Sequence, residues 1–148
     1  MGALNHLDGS TCLVTGGLGF IGSNMAKSLA VAGAHVRVLD ALIEQHGGDV
    51  RNIDPALNGI TIVQGNIADD EVAESILAGV DFVFNIAGQV SHHESMVDPI
   101  RDAELNVTSQ LKFLESVRRT QPSAVVVHTS TRQVYGTAQY LPVDEKHP

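Results

Sequence analysis

Short apolar runs of strand length alternate along this chain with longer segments whose apolar residues recur every three or four positions. That alternation is the pattern of a parallel sheet with crossover helices. Five strands are predicted, at residues 11–15, 35–39, 60–64, 81–85 and 124–128. Their apolar residues run mostly on without alternation, as expected when helices cover both sheet faces. A first helix is predicted over 19–32, closed by Gly33, and a second over 69–78, closed by Gly79. Asp69 and Asp70 stand where the helix dipole favours negative charge. The third and longest helix spans 99 to about 119, with Asp98 as N-cap, Pro99 in the first turn and Arg118 and Arg119 in the last. Ile100, Ala103, Val107, Leu111 and Leu114 form one apolar stripe along it. The stretch 41–58, which holds Gly47, Gly48 and Pro55, is expected to be loop with a short helix. No internal repeat or low-complexity linker interrupts the pattern. The 148 residues are therefore read as one α/β domain, a doubly wound parallel sheet in the order 3-2-1-4-5.

Composition narrows the classes of partner. A formal charge of -8, with no run of Lys or Arg, argues against a nucleic-acid backbone, which is bound by clustered cations. No stretch approaches the ~20 apolar residues of a membrane span, and the N-terminal residues lack the basic start and apolar run of a secretion signal, so a cytoplasmic protein is expected. The single cysteine, Cys12, lies in an apolar run and reads as a core residue. His92, His93 and Glu94 are adjacent in sequence and lack the helical spacing that turns two imidazoles toward one ion, so no metal site is expected.

The chemistry starts directly after the first strand, where Thr15-Gly16-Gly17-Leu18-Gly19-Phe20-Ile21-Gly22 opens the first helix. Gly16 permits a tight turn, Gly19 lets the backbone approach a pyrophosphate at the helix N-terminus, and Gly22 allows close packing of helix and strand. Asp40 closes the second strand, 24 residues after Gly16, where a carboxylate can accept hydrogen bonds from ribose hydroxyls. It would repel a 2'-phosphate, and Ala41 and Leu42 offer no cation to hold one, so NAD is expected over NADP.

The Gly-x-x-Gly-x-x-Gly spacing resembles the short-chain dehydrogenases, and Thr-Gly-Gly-x-Gly-Phe-Ile-Gly resembles their extended subgroup, the NAD-dependent nucleotide-sugar epimerases and dehydratases. The resemblance covers nearly the whole chain. It implies cofactor contacts at Gly16, Gly19, Phe20, Ile21, Gly22 and Asp40. Gly65-Asn66-Ile67 resembles the family's Gly-Asp-Ile, which places Asn66 and Ile67 beside the adenine; the side-chain carbonyl of Asn66 can still accept a bond from the adenine amino group. Ala87-Gly88-Gln89 matches a small-residue segment where the backbone passes close to the cofactor. Asn106-Val107 matches the family's Asn-Val, although Ser109 and Gln110 replace its usual Gly-Thr.

His128-Thr129-Ser130-Thr131-Arg132-Gln133-Val134-Tyr135-Gly136 resembles the family's Ser-Ser/Thr-x-x-Val-Tyr-Gly. The resemblance assigns the catalytic hydroxyl to Thr131, which would hydrogen-bond the sugar oxygen as it passes between hydroxyl and ketone. Arg132 and Gln133 stand where the 4,6-dehydratases carry Asp-Glu, and they cannot supply that acid and base, so an epimerase is preferred. The segment 87–90, with Ser95 and Asp98-Pro99, is most similar to the CDP-tyvelose 2-epimerase type, without assigning a substrate. The family's base lies in a Tyr-x-x-x-Lys motif, whereas here Gln139 follows Tyr135 by four and Asp144 follows Tyr140 by four.

The chain is therefore expected to be the cofactor-binding part of a longer enzyme, with a nucleotide-sugar substrate, a substrate domain lying elsewhere and a homo-oligomeric assembly. With only five strands it should leave part of one sheet face bare and apolar. A sugar dehydratase, a one-way dehydrogenase or reductase on the same scaffold, and a non-catalytic dinucleotide-binding protein remain as alternatives.

Overall fold

The computed structural model describes residues 5–44 and 46–148. Along the chain run β1 (Thr11–Thr15), α1 (Phe20–Val31), β2 (His35–Asp40), β3 (Ile60–Gln64), α2 (Asp70–Leu77), β4 (Phe82–Asn85), α3 (His92–Val97), α4 (Pro99–Ala103), α5 (Ser109–Thr120) and β5 (Val125–His128). The strands form one sheet in the order β3-β2-β1-β4-β5, every pair parallel. This is the doubly wound fold expected from the pattern. Successive strand residues serve opposite faces. Cys12, Val14, Val36 and Val38 pack with Ala26 and Leu29 of α1, while Leu13, Leu39 and Val83 pack with Ile76 and Leu77 of α2 and Phe113 and Val117 of α5. Each fully buried aliphatic side chain contributes roughly 1.5–3 kcal/mol, and the two layers fix β1 and β4 side by side with their C-terminal ends level.

Polar caps set the helix starts. Asp69 accepts from the N–H groups of Glu71 and Val72 at α2, Ser91 from Glu94 at α3, and Asp98 from Arg101 at α4. No side chain caps α1, whose N-cap is Gly19. The strand and helix limits fall within two residues of those expected from sequence. The loop 41–58 holds one short 3-10 turn, Val50–Asn52.

Two features differ from the expectation. Residues 92–97, read as loop, form a helical turn and a half, because Ser91 supplies an N-cap to a segment that shows no apolar periodicity. The long helix is broken by a π-helical turn, Glu104–Thr108, closed by a bond from Ser109 Oγ to the Glu104 carbonyl. The apolar stripe faces outward. Ile100, Val107 and Leu111 are 72%, 54% and 64% exposed, and the buried face consists of Ser109, Gln110, Phe113, Ser116 and Val117. A mixed face can be buried because each of its polar members has a partner: Ser109 bonds Glu104, Gln110 bonds Asn85 and Ala87, and Ser116 bonds Lys112. At the sheet edge all four residues of β5 are exposed.

Candidate functional site

A cleft of about 360 Å³ opens across the C-terminal ends of the strands, in the size range of small-molecule sites. It lies at the switch point of the doubly wound sheet, where chains leaving β1 and β4 turn to opposite faces and leave a crevice. The turn after β1 forms its floor and contributes Gly16, Gly19, Phe20, Ile21 and Gly22. The glycines are there for different physical reasons. Gly16 has φ +64°, and a Cβ on it would stand 2.8 Å from the Ala87 Cα; a Cβ on Gly22 would clash with the backbone of Gly16 and Gly17. The sequence reading placed the contact of Gly22 with the strand, whereas the structure places it with the turn. A Cβ on Gly19 would meet nothing nearer than 3.4 Å, so that glycine leaves the mouth of α1 open. The N–H groups of the first turn of α1 have no side-chain cap, which is the arrangement that receives an anion.

The remaining walls come from the strand ends. Asp40 lines the cleft, but its carboxylate also ties down the surrounding chain. One oxygen accepts from Leu18 N at 2.9 Å and the other from Leu42 N at 2.9 Å, which holds Leu42 at a φ of 49°. Each oxygen keeps a further lone pair for a ribose hydroxyl. Asn66 and Ile67 line the β3 side, and Asn66 Oδ1 accepts from Ala68 N at 2.9 Å in an Asx turn. Ala87, Gly88 and Gln89 line the β4 side.

Two of the residues singled out in the sequence lie elsewhere. Asn106 sits in the π turn and clamps the backbone of Gln89, accepting from its N at 2.8 Å and donating to its carbonyl at 3.0 Å. It shapes the wall without forming it. Thr131 is exposed and caps the 3-10 turn Arg132–Tyr135, its hydroxyl oxygen accepting from Gln133 N at 3.3 Å. The hydroxyl proton remains free to donate. Tyr140 donates to Asp144 at 2.7 Å, and that bond raises the phenol above its ordinary pKa, the opposite of what a Lys neighbour would do.

Sequence reasoning missed part of the rim. Ile43, His46, Gly47 and Gly48 line the cleft from the loop after β2, and Leu105, Ser109 and Gln110 line it from the π turn and α5. His46 Nε2 lies 3.2 Å from Glu94, and Gln89 Nε2 donates to the same carboxylate at 3.2 Å, so one carboxylate joins the β2 and β4 loops. The pair Gly47-Gly48 marked a loop, but no local signal showed that this loop returns to the cleft.

Residues 13–148 match the family model described as GDP-mannose 4,6 dehydratase. The chain belongs to the extended short-chain dehydrogenase/reductase family of nucleotide-sugar epimerases and dehydratases. Among relatives in this family, a putative UDP-glucose 4-epimerase of Methanocaldococcus jannaschii is 36% identical over 92% of this chain and 43% of its own length. An epimerase structure from Methanothermobacter thermautotrophicus superposes with a TM-score of 0.84 at 34% identity, over 97% of this chain and 42% of that one. UDP-glucose 4-epimerase from Brucella ovis, solved in complex with NAD, gives a TM-score of 0.80 at 29% identity, over 92% of this chain and 40% of that one. The chain thus spans about two fifths of the length of the family members it matches. Among the described residues, no helix is long and apolar enough to cross a membrane.

Proposed function

We propose that this chain is the NAD-binding part of a nucleotide-sugar epimerase, with the dinucleotide lying across the cleft from Asp40 to the β4 loop. The observation that carries the reading is the uncapped N-terminus of α1, opened by Gly19 onto a cleft that ends in a carboxylate on its β2 side. The residues present fit the group. First-turn N–H groups would face the pyrophosphate, Asp40 the adenosine ribose hydroxyls, and Asn66 and Ile67 the adenine. Phe20 and Ile21 are 83% and 57% exposed, and they give an apolar edge that a bound dinucleotide would cover. The complex of NAD with the Brucella ovis relative supports the same cofactor.

Bound NAD would oxidise a sugar carbon and return the hydride, serving as a recycled group. Thr131 would hold the sugar oxygen and stabilise the charge that develops there. The family's base sits in a Tyr-x-x-x-Lys motif that these 148 residues do not hold, and this chain alone is expected to bind cofactor without turning over. Arg132 and Gln133 favour epimerase over 4,6-dehydratase, since neither can exchange the protons that removal of water requires. We place self-association on the outward stripe of Ile100, Val107 and Leu111, an exposed apolar face of the kind that partners cover.

The test is to incubate the complete protein with a panel of UDP- and CDP-sugars and follow products by chromatography together with absorbance of reduced nicotinamide. An epimer formed with no net NADH supports the reading. A dehydrated keto sugar would establish the 4,6-dehydratase instead, and stoichiometric NADH release would establish a one-way dehydrogenase.

A further inference from the structure

Beneath the β4 wall of the cleft runs a relay of hydrogen bonds whose direction is fixed at one end. Thr15 Oγ1 accepts from the backbone N–H groups of Ile86 at 3.1 Å and Ala87 at 3.2 Å, so both its lone pairs are used and its proton goes to Asn85 Oδ1 at 2.7 Å. That bond orients the Asn85 amide. Its Nδ2 donates to Gln110 Oε1 at 2.7 Å and stands 3.2 Å from His128 Nδ1. Gln110, its oxygen so used, donates from Nε2 to the Ala87 carbonyl at 2.8 Å. Thr15, Asn85 and Gln110 are buried, while His128, at the end of β5, is exposed.

The relay settles the state of the imidazole. Facing a donor, Nδ1 has to accept, so the ring is neutral and carries its proton on Nε2. When protonated, both ring nitrogens carry hydrogen, and Nδ1–H would meet the N–H of Asn85. If Asn85 turned its oxygen to the ring, its Nδ2 would face Thr15 Oγ1, whose lone pairs are taken, and Gln110 would have to turn as well and leave the Ala87 carbonyl. If the ring turned away, one Nδ2 proton of Asn85 would lose its acceptor. Either response strands a polar group in surroundings that penalise it. No opposite charge offsets this. Among the described residues the ring has no ion-pair partner; Glu115 of α5 pairs with Arg118, and Arg119 with Asp70 and Glu74. Lys112 of α5 and Arg132 are exposed, and residues 129–131, which follow the ring in sequence, are neutral hydroxyls.

We propose that His128 is a proton sensor for the cleft: uptake of a proton at its ring breaks the relay and loosens the β4 wall, so NAD binding weakens in mild acid. The wall is reached through Ala87, which joins the relay by both its N–H and its carbonyl and lines the cleft. The effect on NAD rests on the cofactor reading above, whereas the break in the relay does not. Imidazoles are the side chains whose charge ordinarily changes between about pH 5 and 8, and His128 is the one member of the relay that titrates there.

The experiment compares the 148-residue chain with its His128→Asn variant, which sets an oxygen near the place of Nδ1 and takes up no proton. NMR follows the ring nitrogens of His128 and the side-chain amides of Asn85 and Gln110 from pH 8 to about 5.5, and calorimetry gives NAD affinity at both ends. Wild type should show an unprotonated Nδ1 at pH 8, and both amides should move along the same titration curve as the ring. NAD should bind about tenfold more weakly at the acid end, the worth of roughly one hydrogen bond, and His128→Asn should remove most of that difference. His46, His92 and His93 titrate too, but both proteins share them, and protonating His46 strengthens its contact with Glu94. A proton on Nδ1 at pH 8, or amides that stay still while the ring titrates, would overturn the proposal even if the variant fails to fold. Equal pH dependence of NAD binding in the two proteins would overturn the coupling to the cleft and leave the cofactor site standing. Absence of NAD binding at either pH would overturn the cofactor reading and the coupling with it, and the amide titration would then decide the break in the relay by itself.

Discussion

Replacing glycine by alanine at positions 19 and 22 should separate ligand binding from stability. At Gly22 the added methyl would stand 2.7 Å from Gly17 Cα and 2.8 Å from the Gly16 carbonyl carbon, both backbone atoms that cannot swing aside. Overpacking of this severity costs about 3 kcal/mol, against about 1 kcal/mol gained from helix propensity, for a net loss near 2 kcal/mol. In a domain of this size that lowers Tm by roughly 4–8 °C. At Gly19 the nearest atom would be 3.4 Å away and φ is -74°, a conformation alanine adopts freely. The small cost of alanine at an N-cap and its gain from a stiffer unfolded chain, each below about 1 kcal/mol, nearly cancel. Its methyl would instead stand where the pyrophosphate meets the helix. Loss of one charge-assisted bond, roughly 1.5–3 kcal/mol, weakens NAD about 10- to 150-fold. Differential scanning calorimetry and NAD titration of both variants give the two numbers. A Gly19→Ala chain that melts and binds NAD like wild type would refute a pyrophosphate at this turn.

Thr131→Val in the complete protein should lower kcat about a hundredfold with NAD affinity unchanged, because the hydroxyl acts on the sugar oxygen; unchanged turnover in steady-state assays would remove that role. Glu94→Gln should speed NAD release several-fold in stopped-flow displacement, since it weakens the contact with His46 that joins the β2 and β4 loops. Burial, with a smaller push from the Asp81 charge, raises the Cys12 thiol to about 11. It should therefore resist alkylation at pH 9 in the native chain and react once unfolded. Because the folded value lies above the unfolded one, the stability linked to this group is full below about pH 9 and is lost as pH rises from there toward 11, which urea midpoints at pH 8 and 10.5 can register.

The strands and the glycine turn were legible in the sequence because they depend on local patterns: continuous apolar runs, and glycines at spacings that only a tight turn into a helix explains. Asp40 was legible as a residue of the cleft by its position, but its bonds to Leu18 and Leu42 were not, since they depend on how a loop folds back. The long helix misled. Its apolar stripe suggested the buried face, whereas the buried residues include Gln110 and Ser116, made acceptable inside by partners distant in sequence such as Asn85 and Asp70. The π turn that sets Asn106 and Gln110 against the β4 loop leaves no local signature. Nor does the approach of His46 to Glu94, which joins loops 48 positions apart.

Calorimetric titration of the 148-residue chain with NAD and with NADP, for wild type and Asp40→Ala, decides whether the cleft takes NAD with its adenosine ribose at Asp40. One NAD should bind per chain, NADP should bind at least about tenfold more weakly, and the variant should lose most of this preference because the repelling carboxylate is gone. Tighter binding of NADP by wild type, or a preference unchanged by the substitution, would contradict it.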